Sequence, residues 1–414
     1  MGTMDGECPN RRVFLSGTAV LSSGRTGISS IWDALGQGKT LPDAEIPADQ
    51  LLESARLGRA EAAILGRHQL LALAAVEQAW LQAGLPAQRN RLRGEGQRHR
   101  LPEIGCLAGS SLGGLDCFAR ETSDGKEPSP HSLSRWRGNS TEAVVTLRFG
   151  LGGSSLSVNA ASATGAQLLC LGGNLIRCGM AEALVLVAAD TRPDGLLRQA
   201  MARNGSMSPN QDDPERGPLS AGRGGMRPRE GAGCVILESG AHLRRRGGRG
   251  VAEWLAGRTA NEAYHLVAPE PGAMALRDLL AATRRDLKRR ECEDRVDWIS
   301  LHGTGTPRFD VVEAEAIREN FGGESPWLTS VKRTTGHCLG AMGLVDAGLI
   351  AFGLSEGRLP PWPRNTDPAL GLDRMAPPIP PDPRIAIQIG QGMGGTVVVN
   401  ALGTLRAAAG VLAA

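Results

Sequence analysis

Residues 156–189, LSVNAASATGAQLLCLGGNLIRCGMAEALVLVAA, decide the fold class of this chain. A short apolar run at 156–159 leads into a turn of small residues, and a helical spacing of leucines follows until Gly179. The run 183–189 is apolar throughout, which is typical of a strand buried on both faces of a mostly parallel sheet. Strand, helix and strand in this order predict a βαβ unit.

The same order of elements returns in the C-terminal half of the chain. Short apolar runs there end in turns of small or polar residues, and His302 directly follows the first of them. Two halves built alike predict an internal structural duplication, although no residue-level repeat is visible. The predicted strands are 297–301, 328–332, 385–389 and 397–399, with turns at 334–337 and 391–396 and a helix from about Leu339.

The N-terminal region and the proline-rich segment complete the predicted elements. Strands are expected at 12–16 and 104–108, and helices at 28–35 and 61–81. Glycine- and serine-rich turns are expected after both strands, loops at 38–58 and 85–102, and an extended surface excursion at 360–383.

Composition excludes several classes of protein. The chain has 414 residues, of which 41% are hydrophobic and 21% charged, so it is globular. The net charge of +3 argues against a dedicated nucleic-acid binder. Basic runs at 89–100, 244–249 and 284–290 are either solvated faces or a docking patch for an acidic partner.

The cysteines and the apolar segments bear on the compartment. No two of the eight cysteines have CxxC spacing, which disfavours a zinc or thioredoxin-like centre. The sequence shows no signal-like N-terminal run and no stretch of 18 apolar residues. We therefore expect a cytoplasmic protein with reduced thiols.

Four reactive side chains follow predicted strands: Ser162, His302, Lys332 and His337. Ligands of parallel sheets collect at the carboxyl ends of the strands. A lone histidine is more often a structural polar residue. Two histidines, a lysine and a serine at strand ends together favour a catalytic site.

Over nearly its whole length the chain resembles the β-ketoacyl-acyl carrier protein synthases of the elongating type, in the thiolase superfamily. The resemblance implies an α/β, thiolase-like fold of duplicated βαβαβαββ halves in a five-layer αβαβα arrangement, with the halves at 1–240 and 250–414. The motifs that carry it are VFLSG at 13–17, IGCLAGSSLGGL at 104–115, HGTGTP at 302–307 with Asp310 and Glu313 after it, SVKRTTGHCLGAMG at 330–343 and GMGGT at 392–396.

The resemblance also implies a reaction, in which an acyl group is joined to a malonyl unit on an acyl carrier protein in fatty-acid or polyketide synthesis. No cofactor or metal is implied, because the phosphopantetheine arm belongs to the carrier. His302 and His337 would assist decarboxylation, Lys332 and Glu313 would support them, Thr304 and Thr306 would bind the arm, and Met393 and Gly394 would contact substrate. Backbone N–H groups of residues 162 and 393 would form the oxyanion hole.

Ser162 departs from the family, which has a cysteine nucleophile at this turn. A hydroxyl needs a general base, and His302 or His337 is a candidate. The protein then condenses slowly through a serine ester, only transfers acyl groups or decarboxylates malonyl units, or carries a serine introduced as a trap. A further alternative is a non-condensing subunit, like a chain-length factor, in a heterodimer with a cysteine-type ketosynthase; a homodimer is the other expected assembly.

Two other departures concern the acyl pocket. Met393 replaces a phenylalanine that gates the pocket in the family, and methionine is flexible, so a different acyl chain is expected to fit. In the loop 219–226, Arg223 and Gly225 alone keep the family pattern. This loop is either structural or part of a changed pocket.

Overall fold

The structure is a computed structural model that describes residues 11–93, 98–123, 127–209, 213–290, 295–375 and 382–405. Within them the strands are β1 (Val13–Ser22), β2 (Ile104–Gly109), β3 (Ser155–Val158), β4 (Ala183–Asp190), β5 (Gly231–Ser239), β6 (Ala252–Asn261), β7 (Trp298–Ser300), β8 (Trp327–Thr329), β9 (Ile385–Gln391) and β10 (Thr396–Gly403).

The helices lie between and around these strands. They are α1 (Ile28–Gly36), α2 (Ala48–Ser54), α3 (Arg59–Ala62), α4 (Arg67–Gln82), α5 (Leu115–Ser123), α6 (Ser132–Trp136), α7 (Ser140–Phe149), α8 (Thr164–Arg177), α9 (Gly195–Arg203), α10 (Gly240–Arg245), α11 (Met274–Arg289), α12 (Pro307–Phe321), α13 (Lys332–Thr335) and α14 (Met342–Glu356). Short 3-10 helices span Pro214–Arg216, Leu339–Ala341, Pro368–Leu370 and Asp373–Met375.

The strand order reveals two related halves. The sheet runs β3-β2-β4-β5-β1-β6-β10-β9-β7-β8. Counted within each half, both orders are third, second, fourth, fifth, first. The second, third and fourth strands of each half are parallel, the fifth is antiparallel to the first and fourth, and β1 meets β6 at the centre. The predicted duplication is therefore confirmed.

Helices cover the sheet in layers. Helices α8 and α14 pack between the two halves, α4 packs outside the N-terminal half and α11 outside the C-terminal half. Strand β4 shows why its sequence is apolar throughout: Leu184 and Leu186 belong to the central core around α8 and α14, whereas Val185 and Val187 belong to the outer core around α4. This is the predicted α/β, thiolase-like arrangement of five αβαβα layers.

The two central helices cross at glycines. A Cβ atom on Gly343 would lie 2.0 Å from the backbone nitrogen of Ala166, and one on Gly165 would lie 2.5 Å from the nitrogen of Leu344. No side chain fits in that space. The crossing brings the N-terminal turns of α8 and α14 together at the middle of the molecule.

Four segments differ from the sequence-based expectations. Strand β1 continues over the expected turn after residue 16, because Gly17 lets α4 approach closely: a Cβ there would lie 2.1 Å from the carbonyl oxygen of Ala79. The expected loop 38–58 contains α2, and the expected helix 61–81 is two helices, α3 and α4. The expected strand 328–332 ends at Thr329, and Lys332 begins α13.

The arginines of the basic runs form ion pairs within the fold. Arg89 pairs with Glu77 (2.8 Å), and Arg246 pairs with Glu238 (2.7 Å). Arg284, from the third run, donates to Glu324.

The segment Leu339–Glu356 passes a length-and-hydropathy test for a bilayer span, and 83% of it is buried inside the protein as the central helix.

Candidate active site

One cavity of about 580 Å³ lies where the carboxyl ends of strands from both halves meet. Ser162 follows β3, His302 follows β7, His337 follows β8 and Gln391 ends β9, and all four line the cavity. Met393, in the turn after β9, lines it as well. The fold thus brings together the serine and both histidines named from the sequence.

Ser162 lies two residues before α8, in a turn held by its own side chains. The Thr164 hydroxyl accepts the Ala160 N–H (2.9 Å) and donates to the Ala161 carbonyl (2.7 Å). The Asn159 side chain accepts the Ala161 N–H (3.0 Å), and Ala161 has a φ of +49°. The partial positive charge at the N-terminus of α8 favours negative charge at the Ser162 hydroxyl.

His302 is fixed by backbone and side-chain contacts on three sides. Its N–H donates to Glu313 (2.6 Å), its carbonyl accepts from the Lys332 ammonium, and its ring Nδ1 accepts the Gln391 N–H (3.2 Å). Because Nδ1 accepts a hydrogen bond, the neutral ring carries its hydrogen on Nε2.

His337 has the same ring arrangement. Its Nδ1 accepts the Leu339 N–H (3.0 Å), so the neutral ring also carries its hydrogen on Nε2. The Nε2 atom is buried and has no hydrogen-bond partner in the described part of the chain. The centroids of the His302 and His337 rings are 6.0 Å apart, and the ring planes meet at 83°.

The protonation of both rings follows from their surroundings. Burial and the neighbouring Lys332 and His337 lower the pKa of His302 well below its ordinary value. Burial and Lys332 do the same to the pKa of His337. Two neutral imidazoles therefore hold Nε2–H groups at one cavity. This arrangement suits donation to a negative oxygen better than removal of a proton from Ser162.

Lys332 and Glu313 lie behind His302, buried, and neither is among the residues that line the cavity. Burial lowers the pKa of Lys332, while Asp346, Glu313 and Asp310 raise it. Burial raises the pKa of Glu313 to about 7, opposed by the N–H groups of Gly303 and His302. Both side chains hydrogen-bond to the His302 backbone, and their expected support of the two histidines in the reaction stays a prediction.

The expected substrate-binding residues divide into two groups. Thr304, Thr306 and Met393 line the cavity. Gly394 does not: its N–H donates to the Leu266 carbonyl (2.9 Å), so it shapes the turn rather than the cavity wall.

Sequence reasoning missed several lining residues. His265 and Asn204 come from segments with no recognisable motif, and only the fold brings them to the cavity. Arg308 adjoins the HGTGTP motif, which could have pointed to it, and its side chain is exposed at the cavity. Both polar atoms of the Gln391 side chain are buried without a partner among the described residues.

The altered loop 219–226 is both structural and close to the cavity. Arg223 donates to Asp367 (2.7 Å) and lies 3.8 Å from Asp310, and the Gly225 N–H donates to the Gly305 carbonyl (2.8 Å). Met226, at the end of the loop, lines the cavity. The loop is thus tied to the segment after β7 and contributes one wall residue.

Comparison with known proteins gives a consistent result. Residues 53–242 match the family described as "Beta-ketoacyl synthase, N-terminal domain", and residues 252–365 match "Beta-ketoacyl synthase, C-terminal domain". The chain is 28% identical over 386 residues to a 3-oxoacyl-[acyl-carrier-protein] synthase 2 from Coxiella burnetii, covering 88% of this chain and 90% of the relative.

Solved structures share the fold over almost the whole chain. The ishigamide ketosynthase/chain length factor superposes with a TM-score of 0.73 and 27% identity, covering 95% of this chain and 99% of that one. A type II polyketide ketosynthase, solved in complex with its acyl-carrier protein, superposes with a TM-score of 0.77 and 22% identity, covering 96% and 100%.

Proposed function

Because the chain belongs to the β-ketoacyl synthase family of transferases, we propose that it acts on acyl groups carried by an acyl carrier protein in fatty-acid or polyketide synthesis. Ser162, His302 and His337 are the proposed catalytic residues. One observation carries this proposal: the hydroxyl and both imidazoles line a single cavity, and each imidazole keeps its hydrogen on Nε2.

Decarboxylation is the step that this geometry supports best. When a malonyl thioester loses carbon dioxide, the bond to the carboxylate breaks and its electron pair forms an enolate, whose negative charge lies on the thioester oxygen. Two neutral Nε2–H groups in a buried site stabilise that oxygen without having to reorganise. No proton has to be removed, so the step needs no general base.

Acyl transfer to Ser162 is less well supported. The hydroxyl oxygen must attack a thioester carbonyl, the C–S bond breaks, and the hydroxyl proton passes to the departing sulfur. The N-terminus of α8 favours the charge that develops on the oxygen. Neither imidazole offers a free Nε2 lone pair for the proton, so we propose that loading of Ser162, and hence condensation, is slow compared with decarboxylation.

The carrier supplies the arm that reaches the cavity. We propose that the hydroxyls of Thr304 and Thr306 bind the phosphopantetheine and that exposed Arg308 meets its phosphate. The arm belongs to the carrier, and the proposed reaction uses no cofactor or metal held by this chain.

Malonyl-carrier protein tests the proposal directly. The wild-type protein should release carbon dioxide and yield acetyl-carrier protein, and an acyl-carrier protein should leave an acyl mass increment on Ser162. Ser162→Ala should abolish the increment and keep decarboxylation. Ser162→Cys should increase condensation. Intact-mass and carbon dioxide measurements that show neither activity, across several acyl donors and with partner subunits present, would contradict the proposal.

A second candidate function, a non-condensing partner subunit, is favoured by a specific surface. Strand β3 is an exposed edge of the sheet; its Leu156 and the neighbouring Leu115 and Phe118 are 44–47% exposed. A second cavity of about 420 Å³ lies at the same edge. We propose that another ketosynthase-type subunit pairs here, either a second copy or a cysteine-type homologue.

Co-expression with a cysteine-type ketosynthase separates the two functions. A partner role predicts a stable heterodimer whose product yield is unchanged by Ser162→Ala. It also predicts that His337→Ala leaves the yield unchanged. A large loss of product with His337→Ala in that heterodimer would instead support a catalytic role for this chain.

A further inference from the structure

Three metal-ligating side chains meet outside the cavity already described. His68 lies in the first turn of α4, and Asp116 and Cys117 lie in the first turn of α5. The His68 Nδ1 atom is 3.8 Å from the Cys117 sulfur and 3.9 Å from Asp116 Oδ1, and all three ligand atoms lie within 4.8 Å of one another. We infer that this cluster binds a divalent transition-metal ion, with Zn²⁺ as the ion that its ligand set fits best.

Two of the three separations between ligand atoms match tetrahedral zinc, and the third, between Asp116 and Cys117, is within 4.8 Å. Bonds of about 2.1 Å to nitrogen and about 2.3 Å to sulfur place neighbouring ligand atoms roughly 3.5–4 Å apart. The separations from His68 to Cys117 and to Asp116 fall in that range. A mixed set of imidazole, thiolate and carboxylate suits zinc and cobalt better than magnesium or calcium, which prefer oxygen ligands alone.

The orientation of His68 leaves the correct nitrogen available. Its Nε2 lies 3.0 Å from the hydroxyl of Ser140, and the His68 side chain is completely buried. When Nε2 donates to that hydroxyl, the Nδ1 lone pair points to the cluster. Histidine ligands commonly donate their second ring nitrogen in this way, which fixes the tautomer and the ring.

Asp116 gives an independent indication that a cation binds here. The residue is 4% exposed, and its Oδ1 atom is buried with no hydrogen-bond partner among the residues that the structure describes. A carboxyl oxygen without a hydrogen-bond partner is costly to bury. A cation among the three ligand atoms would remove that cost.

Burial and the neighbouring Asp116 raise the pKa of the Cys117 thiol to about 12, so a metal ion has to displace the thiol proton when it binds. A Cβ atom on Gly66 would lie 2.7 Å from the Cys117 sulfur, so the neighbouring backbone approaches closely. The nearby Arg135 is paired with Glu121 (2.9 Å), so its charge is balanced. On binding, the sulfur–metal bond forms and the thiol proton passes to the buffer.

Three protein ligands leave a fourth coordination position for water, which the half-buried Cys117 side allows. Bound metal would join the start of α5 to the start of α4. Since α5 also carries Leu115 and Phe118, the ion would stabilise the exposed edge near β3. The site is separate from the acyl cavity, so its test does not depend on the proposed function.

Cobalt titration of the full-length, tag-free protein tests the site. We expect one equivalent of Co²⁺ to produce a thiolate-to-cobalt absorption band, and Zn²⁺ to displace it and raise the melting temperature by about 2 °C. Cys117→Ser should abolish the band, and the nearly isosteric Asp116→Asn should weaken Co²⁺ binding at least tenfold. Cys178→Ser, which removes an exposed cysteine elsewhere, should change neither.

Circular dichroism and melting curves without metal establish that each variant folds, and Asp116→Asn alters the least structure. A cobalt band that persists in Cys117→Ser, or an affinity unchanged by Asp116→Asn, would overturn the assignment. Absence of any band in the wild-type protein would overturn it as well.

Discussion

The two halves of the sheet carry different groups at equivalent strand ends. In the N-terminal half, Ser110 follows β2 and donates to Asp190 at the end of β4 (2.6 Å), and both are buried. In the C-terminal half, His302 follows β7 and accepts from the backbone of Gln391 at the end of β9 (3.2 Å). In the N-terminal half, the side chains at these strand ends hydrogen-bond to each other. In the C-terminal half, the imidazole at one strand end lines the cavity.

The turns before the central helices differ in the same sense. Ser162 precedes α8, and neither imidazole offers its hydroxyl a base. His337 precedes α14, and its Nε2–H can donate a hydrogen bond because its Nδ1 already accepts one. In the function proposed above, the groups that stabilise the enolate oxygen come from the C-terminal half, and the proposed acyl acceptor, Ser162, comes from the N-terminal half. This division predicts that the two activities can be lost separately.

The largest expected effect comes from removing a donor of the C-terminal half. His337→Ala should lower the rate of malonyl-carrier decarboxylation about 10²- to 10³-fold, as the loss of one oxyanion donor does elsewhere. Ser162→Ala is the matched variant in the other half and should change that rate by less than about threefold, because the hydroxyl takes no part in this step. Initial rates of carbon dioxide release measure both.

Equal losses in the two variants would contradict the division between the halves. Melting curves of both proteins serve as the control, since a folding defect would reduce either rate for an unrelated reason.

The next effect concerns the place where the halves meet. Gly343→Ala puts a Cβ atom within 2.0 Å of the Ala166 nitrogen and should lower the free energy of unfolding by about 3 kcal/mol. Gly138→Ala, where a Cβ has nothing within 4 Å, should change it by less than about 0.5 kcal/mol. Denaturant unfolding checks both, and similar midpoints for the two variants would show that the central helices can separate freely.

Much of this comparison was predictable from the sequence, because it lies in short local patterns. The small-residue turn at Ser162 and the HGTGTP motif beginning at His302 follow apolar runs, and strand ends of a parallel sheet converge. The resemblance to a known family supplied the functional assignment of these positions. Local pattern and family motif together gave the correct fold class.

The remainder depends on packing between distant segments, which local patterns do not encode. Residues 17–22 look like a turn, yet they form strand because Gly17 admits the backbone of α4. His265 reaches the cavity only through the path of its loop. The Nδ1 contacts of His302 and His337, which decide between base and donor, come from backbone N–H groups that any residue could supply.

A smaller effect is expected in the two turns themselves. Thr164→Val removes the acceptor of the Ala160 N–H and should cost about 1–2 kcal/mol of unfolding free energy. Thr335→Val, the matched change before α14, should cost less, because the Thr335 hydroxyl donates to the carbonyls of Gly336 (2.8 Å) and Val331 (3.2 Å) but accepts no backbone N–H among the described residues. Thermal unfolding compares them, and a larger cost for Thr335→Val would contradict the greater dependence of the Ser162 turn on its threonine.

The smallest effect is the pH dependence of stability that Asp190 contributes in the N-terminal half. Burial raises the pKa of Asp190 to about 6, opposed by hydrogen bonds from Ser110, Ser111 and Leu112. As the pH falls, Asp190 in the folded protein therefore takes up a proton at a higher pH than it does in the unfolded chain. Its stabilising contribution is complete below the unfolded pKa near 4 and is lost as the pH rises through about 6. On going from pH 7 to pH 5, the wild type should gain about 1 kcal/mol of unfolding free energy relative to Asp190→Asn. Urea unfolding at the two pH values measures this difference. If the unfolding free energies of the two proteins changed equally between pH 7 and pH 5, Asp190 would stay ionised in the folded protein, stabilised by its hydrogen-bond donors.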